Sequence, residues 1–301
     1  MAGPRIAVVQ KRTTYRKFVV EEHDPLTARL LKRRDPTVVR LESSHRAHEE
    51  TVTEVEEAVA KVGGEIVYSG GPRGRIPPRT DLVLTIGGDG TLLAASHQIG
   101  DGTPILGINS APEHSVGFFC GGKKGSVVRT LRAALADRLP KSVLSRMRVE
   151  LNGRVLHARV LNEALFCHTS PAATSRYILR VTRADGSYGE EEQRSSGLWI
   201  GPAAGSTAAQ RSAGGRVLPL GSTRIQYVVR EPYRPIGGRF RYANGLLDED
   251  GRLTIRSKIR DAKVFLDGHR IVHAVTIGDV LTMRRSPQTL TVLGLATKRR
   301  S

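Results

Sequence analysis

In the first half of the chain the apolar residues fall into short unbroken runs. Arg5–Val9, Asp81–Ile86 and Pro104–Ile108 read as strands buried on both faces. Between the runs the period changes. Val52, Val55, Val59 and Val62 recur at three- and four-residue spacing, which predicts a helix over His45–Val62 that ends at Gly63-Gly64. Asp24–Arg33, Leu92–His97 and Ser126–Leu139 also carry helical pattern, and Pro140 stops the last of them. Glu65–Tyr68 is a short strand, and the Gly-, Pro- and Arg-rich stretch Ser69–Thr80 is a loop. Strands alternating with helices predict a mainly parallel sheet covered by helices.

Near residue 145 the period becomes two. Arg146–Leu151 alternates, Asn152-Gly153 follows, and Val155–Leu161 alternates again, a strong hairpin pattern. Further strands are expected at Arg176–Thr182, Leu198–Ile200, Ile225–Val229, Arg252–Arg256, Lys263–Leu266 and Arg270–Val275. Few helical patterns intervene, so this half predicts a sandwich of two sheets. The expected organisation is an α/β domain over residues 1–143 and a β-sandwich over 144–275. The last strands, Val280–Met283 and Thr289–Leu293 within 276–301, fit either domain.

Composition narrows the class. Two cysteines in 301 residues exclude a disulfide scaffold, and Cys120 and Cys167 lack metal-ligand spacing. No apolar run is long enough to span a bilayer, and the N-terminus lacks the apolar core of a secretory signal, so a cytoplasmic setting without membrane attachment is expected. Lys and Arg total 47 against 29 Asp and Glu, a net charge of +18. Such an excess favours phosphate-bearing partners. The arginines are spread along the chain and aromatic residues make up only 5%, so no nucleic-acid partner is expected.

Four segments carry candidate chemistry. In Gly87-Gly88-Asp89-Gly90-Thr91, three glycines leave the backbone bare for phosphate oxygens. A following helix would add its positive end, and Thr91 a hydroxyl. Asp89 among phosphates is unfavourable unless it holds a metal or accepts a proton. A glycine-rich turn with Asp89 as helix cap is the simpler alternative. Asn162-Glu163 pairs an amide with a carboxylate, a set able to hold a ribose diol, or else a solvated strand end. The run from Ser195 to Gly215 is rich in very small residues, with hydroxyls at Ser206, Thr207 and Ser212. It suits a flat ring or a sugar lying on the backbone, or a tight helix–sheet contact. Leu266-Asp267-Gly268-His269 reads as a hairpin turn.

Together, and in this order, the four segments resemble the NAD kinase family over about residues 81–275. Gly-Gly-Asp-Gly alone also occurs in related lipid kinases and phosphofructokinases; Asn-Glu and Gly-Ser-Thr-Ala with Ser-Ala-Gly-Gly are more specific. The resemblance implies an α/β N-terminal domain with a mainly parallel sheet and a β-sandwich C-terminal domain. It implies transfer of a phosphoryl group from ATP, with Mg²⁺ or another divalent ion, to the 2′-hydroxyl of the adenosine ribose of NAD⁺ or NADH. By resemblance Asp89 is the proton acceptor, and Gly87, Gly88, Gly90 and Thr91 line the phosphates. Asn162 and Glu163 hold the dinucleotide, Thr207, Ala208 and Ser212 line its pocket, and Arg194 and His269 border it. No side chain is assigned as a metal ligand, and a homodimer or homotetramer is expected.

The third segment departs from the commoner family pattern. Ser196-Gly197-Leu198 stands where many members have Asp-Gly-Leu, Pro202-Ala203-Ala204-Gly205 replaces Thr-Pro-Thr-Gly, and Ala209 replaces a tyrosine. Together with Val229-Arg230-Glu231-Pro232, these resemble the branch with plant NADH kinase and the mitochondrial NAD kinases. Ser196 lacks a carboxylate that would favour the cationic nicotinamide of NAD⁺, so NADH is expected to serve as well as NAD⁺ or better. The alternatives are a related lipid or sugar kinase sharing the glycine loop, and a non-catalytic binder of dinucleotide or nucleic acid.

Overall fold

The computed structural model describes residues 3–233 and 240–295. The chain forms two compact units, one of Met1–Ser142 with the segment that begins at Thr291, the other centred on Val143–Leu290.

The first unit is built on five parallel strands: β1 (Arg5–Gln10), β2 (Glu65–Gly70), β3 (Leu82–Gly87), β4 (Ile105–Asn109) and β5 (Cys120–Lys123). They lie in the order β2-β1-β3-β4, with β5 on the far side of β4. Every residue of β3 and β4 is buried, as their unbroken apolar runs require. Four α-helices accompany them: α1 (Pro25–Lys32), α2 (Leu41–Lys61), α3 (Asp89–Ser96) and α4 (Val127–Leu135). Val55, Ala58 and Val59 of α2 pack with Ile6, Leu84, Ile108 and Leu131 in one core. Glu54 of α2 accepts the N–H groups of Gly125 and Val127, closing the N-terminus of α4 where Ser126 makes no cap. That helix ends at Leu135, short of the expected Leu139, and α2 starts four residues before the expected His45.

β5 carries Gly121 and Gly122, poor strand residues, and the sequence gives it no strand signal. Close approach explains both: a Cβ on Gly121 would stand 2.4 Å from the Leu293 carbonyl oxygen, and one on Gly122 2.7 Å from Ile108.

The second unit is two antiparallel layers. Its strands are β6 (Lys141–Leu151), β7 (Arg154–Val160), β8 (Ala164–His168), β9 (Ser175–Thr182), β10 (Tyr188–Ser195) and β11 (Gly197–Pro202), then β12 (Ile225–Arg230), β13 (Asn244–Leu247), β14 (Arg252–Ser257), β15 (Ala262–Leu266), β16 (Ile271–Val275) and β17 (Val280–Leu293). One layer runs β10-β9-β14-β17 and continues through β6 to β7; the other runs β13-β12-β11-β8-β15-β16. Tyr177, Leu179, Leu253, Ile255 and Met283 from the first layer share a core with Phe166, Leu198, Ile200, Tyr227 and Val264 from the second. The two inner faces therefore form the sandwich that the period-two pattern requires. Phe166 meets Tyr177 edge-on at 5.2 Å between ring centroids.

Asn152 and Gly153 take φ of 51° and 82°, and the flanking Leu151 and Arg154 pair, as an Asn-Gly hairpin demands. The separate strands expected at 280–283 and 289–293 are one element, β17. Pro287 hides this continuity in the sequence. It is exposed, and the Ser286 hydroxyl accepts the Gln288 N–H beside it. The end of β17 belongs to the first unit, where Val292 pairs in parallel with Ile105 of β4. Among the described residues no helix is long and apolar enough to cross a membrane.

Candidate active site

In the first unit the glycine segment straddles a strand end and a helix start. Gly87 closes β3, Gly88 is the N-cap of α3, and Asp89, Gly90 and Thr91 form its first turn. The helix thus opens three residues before the Leu92 expected from the sequence. The glycines have steric reasons: a Cβ on Gly87 would lie 2.2 Å from the Thr91 hydroxyl oxygen, and one on Gly88 2.6 Å from that of Ser115. The Gly88 carbonyl accepts the Thr91 N–H at 2.9 Å. Bare backbone followed by a helix N-terminus is suited to an anion.

Asp89 is held from outside its own segment. Phe118 N–H donates to Oδ2 at 3.0 Å and Phe119 N–H to Oδ1 at 2.7 Å. The loop that supplies them is tied to β4 by Asn109, whose Nδ2 donates to the Ser115 carbonyl at 2.9 Å and whose Oδ1 accepts the Ala111 N–H at 3.1 Å. Gly117 takes φ of 61°, and a Cβ there would meet Asn109 Nδ2 at 2.4 Å. Sequence reasoning missed Asn109 and Gly117–Phe119. The available signal was a glycine and two aromatics soon after a buried strand. Burial and the neighbouring Asp89 charge push the Cys120 thiol up to about 12, so it stays protonated beside the loop.

In the second unit two separated sequence segments converge on Asn162 and Glu163, which lie between β7 and β8. The third candidate segment contributes its small residues: a Cβ on Gly201 or Gly205 would stand 2.0 Å or 1.9 Å from the Asn162 carbonyl oxygen. Gln210 Nε2 donates to the same oxygen at 3.3 Å. The fourth segment contributes Asp267. Its carboxylate accepts the N–H groups of Leu161 at 2.8 Å, Asn162 at 2.7 Å and Glu163 at 3.1 Å.

Glu163 is buried, and its Oε2 and the Oδ1 of Asn162 are enclosed acceptors with no hydrogen-bond donor among the described residues. Burial first, and the Asp267 charge second, lift the Glu163 carboxyl to about 7. Burial also raises Asp267, while its three N–H donors and the positive field of Arg146 pull the other way. Burial wins, and the net effect lifts Asp267 to about 6. Two enclosed acceptors beside each other are suited to ligand hydroxyls or N–H groups.

The remaining candidates differ in exposure. Thr207 is half-buried at the end of a 3₁₀ turn (Ala203–Thr207), and Ala208 and Ser212 are exposed, Ser212 closing the single helical turn α5 (Ala209–Ser212). Ser206, also a candidate hydroxyl, is buried and engaged: its Oγ donates to the Ala203 carbonyl and accepts the Leu218 N–H. Ser196 is half-buried between β10 and β11, and its N–H donates to the Arg230 carbonyl at 3.0 Å. Arg194 on β10 and His269 in the β15–β16 turn are exposed.

The family model for the ATP-NAD kinase N-terminal domain matches residues 25–135. A probable NADH kinase of rice is 34% identical over 229 residues, covering 71% of this chain and 70% of its own. NADH kinase of Arabidopsis thaliana is 32% identical over 229 residues, covering 70% and 72%. Among solved structures, an Archaeoglobus fulgidus NAD kinase in complex with ATP superposes with a TM-score of 0.65 at 20% identity, over 98% of this chain and 94% of that one. Yeast NADH kinase complexed with NADH gives 0.68 at 16% identity, over 99% and 85%. At these identities the structural likeness speaks for the fold.

Proposed function

The chain belongs to the NAD kinase family, and on that premise we propose that it phosphorylates the 2′-hydroxyl of the adenosine ribose of NAD⁺, NADH or both with ATP. The observation that carries the reading is the state of Asp89: a carboxylate at a helix N-terminus behind bare glycines, each oxygen engaged by one backbone N–H. A carboxylate oxygen has a second lone pair, so both remain able to accept from a hydroxyl.

Phosphoryl transfer runs through a loose transition state, in which positioning and charge neutralisation dominate. A carboxylate is a weak base toward an alcohol early in such a reaction. Asp89 therefore orients the 2′-hydroxyl and takes its proton late, as the new P–O bond forms. Gly87, Gly88, Gly90 and Thr91 offer N–H groups and a hydroxyl to the phosphates. Asn162 and Glu163 hold the dinucleotide through their enclosed acceptors; Thr207, Ala208 and Ser212 line it, and Arg194 and His269 border it. Among the described residues no group of three His, Cys, Asp or Glu side chains is arranged as a metal site. Mg²⁺ would enter as the companion of ATP, offsetting the charge of its phosphates. A homo-oligomer in the cytoplasm is the setting that goes with this reading.

The test is a coupled NADP(H)-formation assay with Mg-ATP and either NAD⁺ or NADH. Turnover of either, sharply reduced in Asp89→Asn, is the expected result. Phosphorylation of a lipid or sugar, with none of NAD(H), would overturn it.

A further inference from the structure

We propose that Asp267 is a positioning residue for the dinucleotide: its carboxylate clamps the backbone of Leu161, Asn162 and Glu163 and thereby fixes the two side chains that hold the substrate. The inference rests on the kinase reading and extends it to a residue that touches no substrate.

The geometry is specific. Oδ1 accepts two successive N–H groups, of Asn162 and Glu163, while Oδ2 accepts that of Leu161. The contact is reciprocal, because the Asp267 N–H donates to the Glu163 carbonyl at 2.9 Å. Three consecutive amides bound by one carboxylate leave this backbone no freedom to rotate, and charge-assisted bonds are the stronger kind. The strands on either side pair through Ala164 and Leu266, so the clamp closes the end of a ladder already in register. From the other side, Gly201 and Gly205 press on the Asn162 carbonyl. The backbone of Asn162 is thus gripped at its N–H and at its oxygen.

A carboxylate in this place is costly unless it is compensated. Arg146, fully buried on β6, supplies positive field to Asp267. His157 adds no charge: burial first, then Arg159, Arg146 and His273, hold it down to about 4, so it is neutral at physiological pH. A turn alone does not need such an arrangement. It has a use where the neighbouring Asn162 and Glu163 must present unsatisfied oxygens without collapsing onto their own backbone.

The experiment compares Asp267→Asn with Asp279→Asn. Asp279 is another loop carboxylate of the same unit, accepting from Asn152 Nδ2 and from the Thr276 N–H. Asparagine keeps the shape but turns an NH₂ group against a backbone N–H. In Asp267→Asn the KM for the dinucleotide should rise about tenfold, the worth of one or two buried hydrogen bonds. The KM for ATP and kcat should change less than about threefold, because Asp89 and the glycine loop are untouched. Asp279→Asn should leave all three unchanged at a comparable loss of thermal stability. Equal dinucleotide KM in wild type and Asp267→Asn would refute the clamp.

A second measurement needs no variant. In the wild-type protein the amides of Leu161, Asn162 and Glu163 should exchange with deuterium about 100-fold more slowly than those of Gly268 and His269. Exchange at the same rate would refute the clamp. If the wild type makes no NADP(H) at all, the kinase reading fails instead, and the two failures are distinct.

Discussion

The Phe119 N–H donates to Oδ1 of Asp89 at 2.7 Å from 30 residues further along the chain. The carboxylate proposed to take the proton is therefore aimed by a loop after β4 rather than by its own glycine segment. Asp89→Asn keeps the helix start but replaces one oxygen by an NH₂ group facing a backbone N–H. Turnover should fall by about 10²–10⁴-fold, the usual worth of positioned acid–base chemistry. The KM for both substrates should change little, as steady-state kinetics would show.

Gly205 offers a steric test on the second unit. Its missing Cβ would stand 1.9 Å from the Asn162 carbonyl oxygen, too close for any rotamer change to relieve. Gly205→Ala should destabilise the protein by about 1–3 kcal/mol in urea unfolding. It should also raise the KM for the dinucleotide, because the backbone that moves carries Asn162. An alanine tolerated without either effect would mean that the 3₁₀ turn, and not Asn162, yields.

The raised Glu163 carboxyl predicts how stability follows pH. Its folded value is about 7 against an ordinary 4.5, so between these values the folded state holds more protons than the unfolded one. Stability should therefore fall as pH rises from about 4.5 to about 7, by at most about 3 kcal/mol, and this contribution should be flat above. Glu163→Gln should remove that part of the slope. Urea midpoints at pH 5 and pH 8 for both proteins test it; identical slopes would contradict the burial of this carboxyl.

Ser196→Asp tests the choice between oxidised and reduced dinucleotide. If a carboxylate at this position acts on the cationic nicotinamide from about 10 Å through a partly wet site, it gains about 0.8 kcal/mol. Ser196→Asp should then lower the NADH/NAD⁺ ratio of kcat/KM about fourfold. An unchanged ratio would separate Ser196 from that preference.

Legibility differed by kind of residue. Strands such as β3 and β4 and the centre of α2 can be read directly, because burial on two faces or one stripe writes itself into the apolar pattern. β10 could not be read: Tyr188–Ser195 is dominated by glutamates, glutamine and arginine. It sits at the edge of its layer, paired among the described residues only with β9, where charged side chains are tolerated and useful. β8 was hidden because Asn162-Glu163 was read as the end of the preceding strand. The glycine loop and Asn162-Glu163 were legible from side-chain chemistry. What fixes them was not. Phe118 and Phe119 act through their amides, which no side chain advertises, and Asp267 reads as a turn because its partners lie 104 to 106 residues away.

The first unit is assembled from both ends of the chain, since Val292 lies beside Ile105 and the Gly294 N–H donates to the Pro140 carbonyl at 2.8 Å. During synthesis the ribosome therefore emits the glycine loop well before the segment from Thr291 that completes the sheet carrying it. The second unit has all of its strands up to β16 before then. The sheet that carries the glycine loop is thus completed only after β16 has been made, and a premature stop before residue 291 would leave it a strand short.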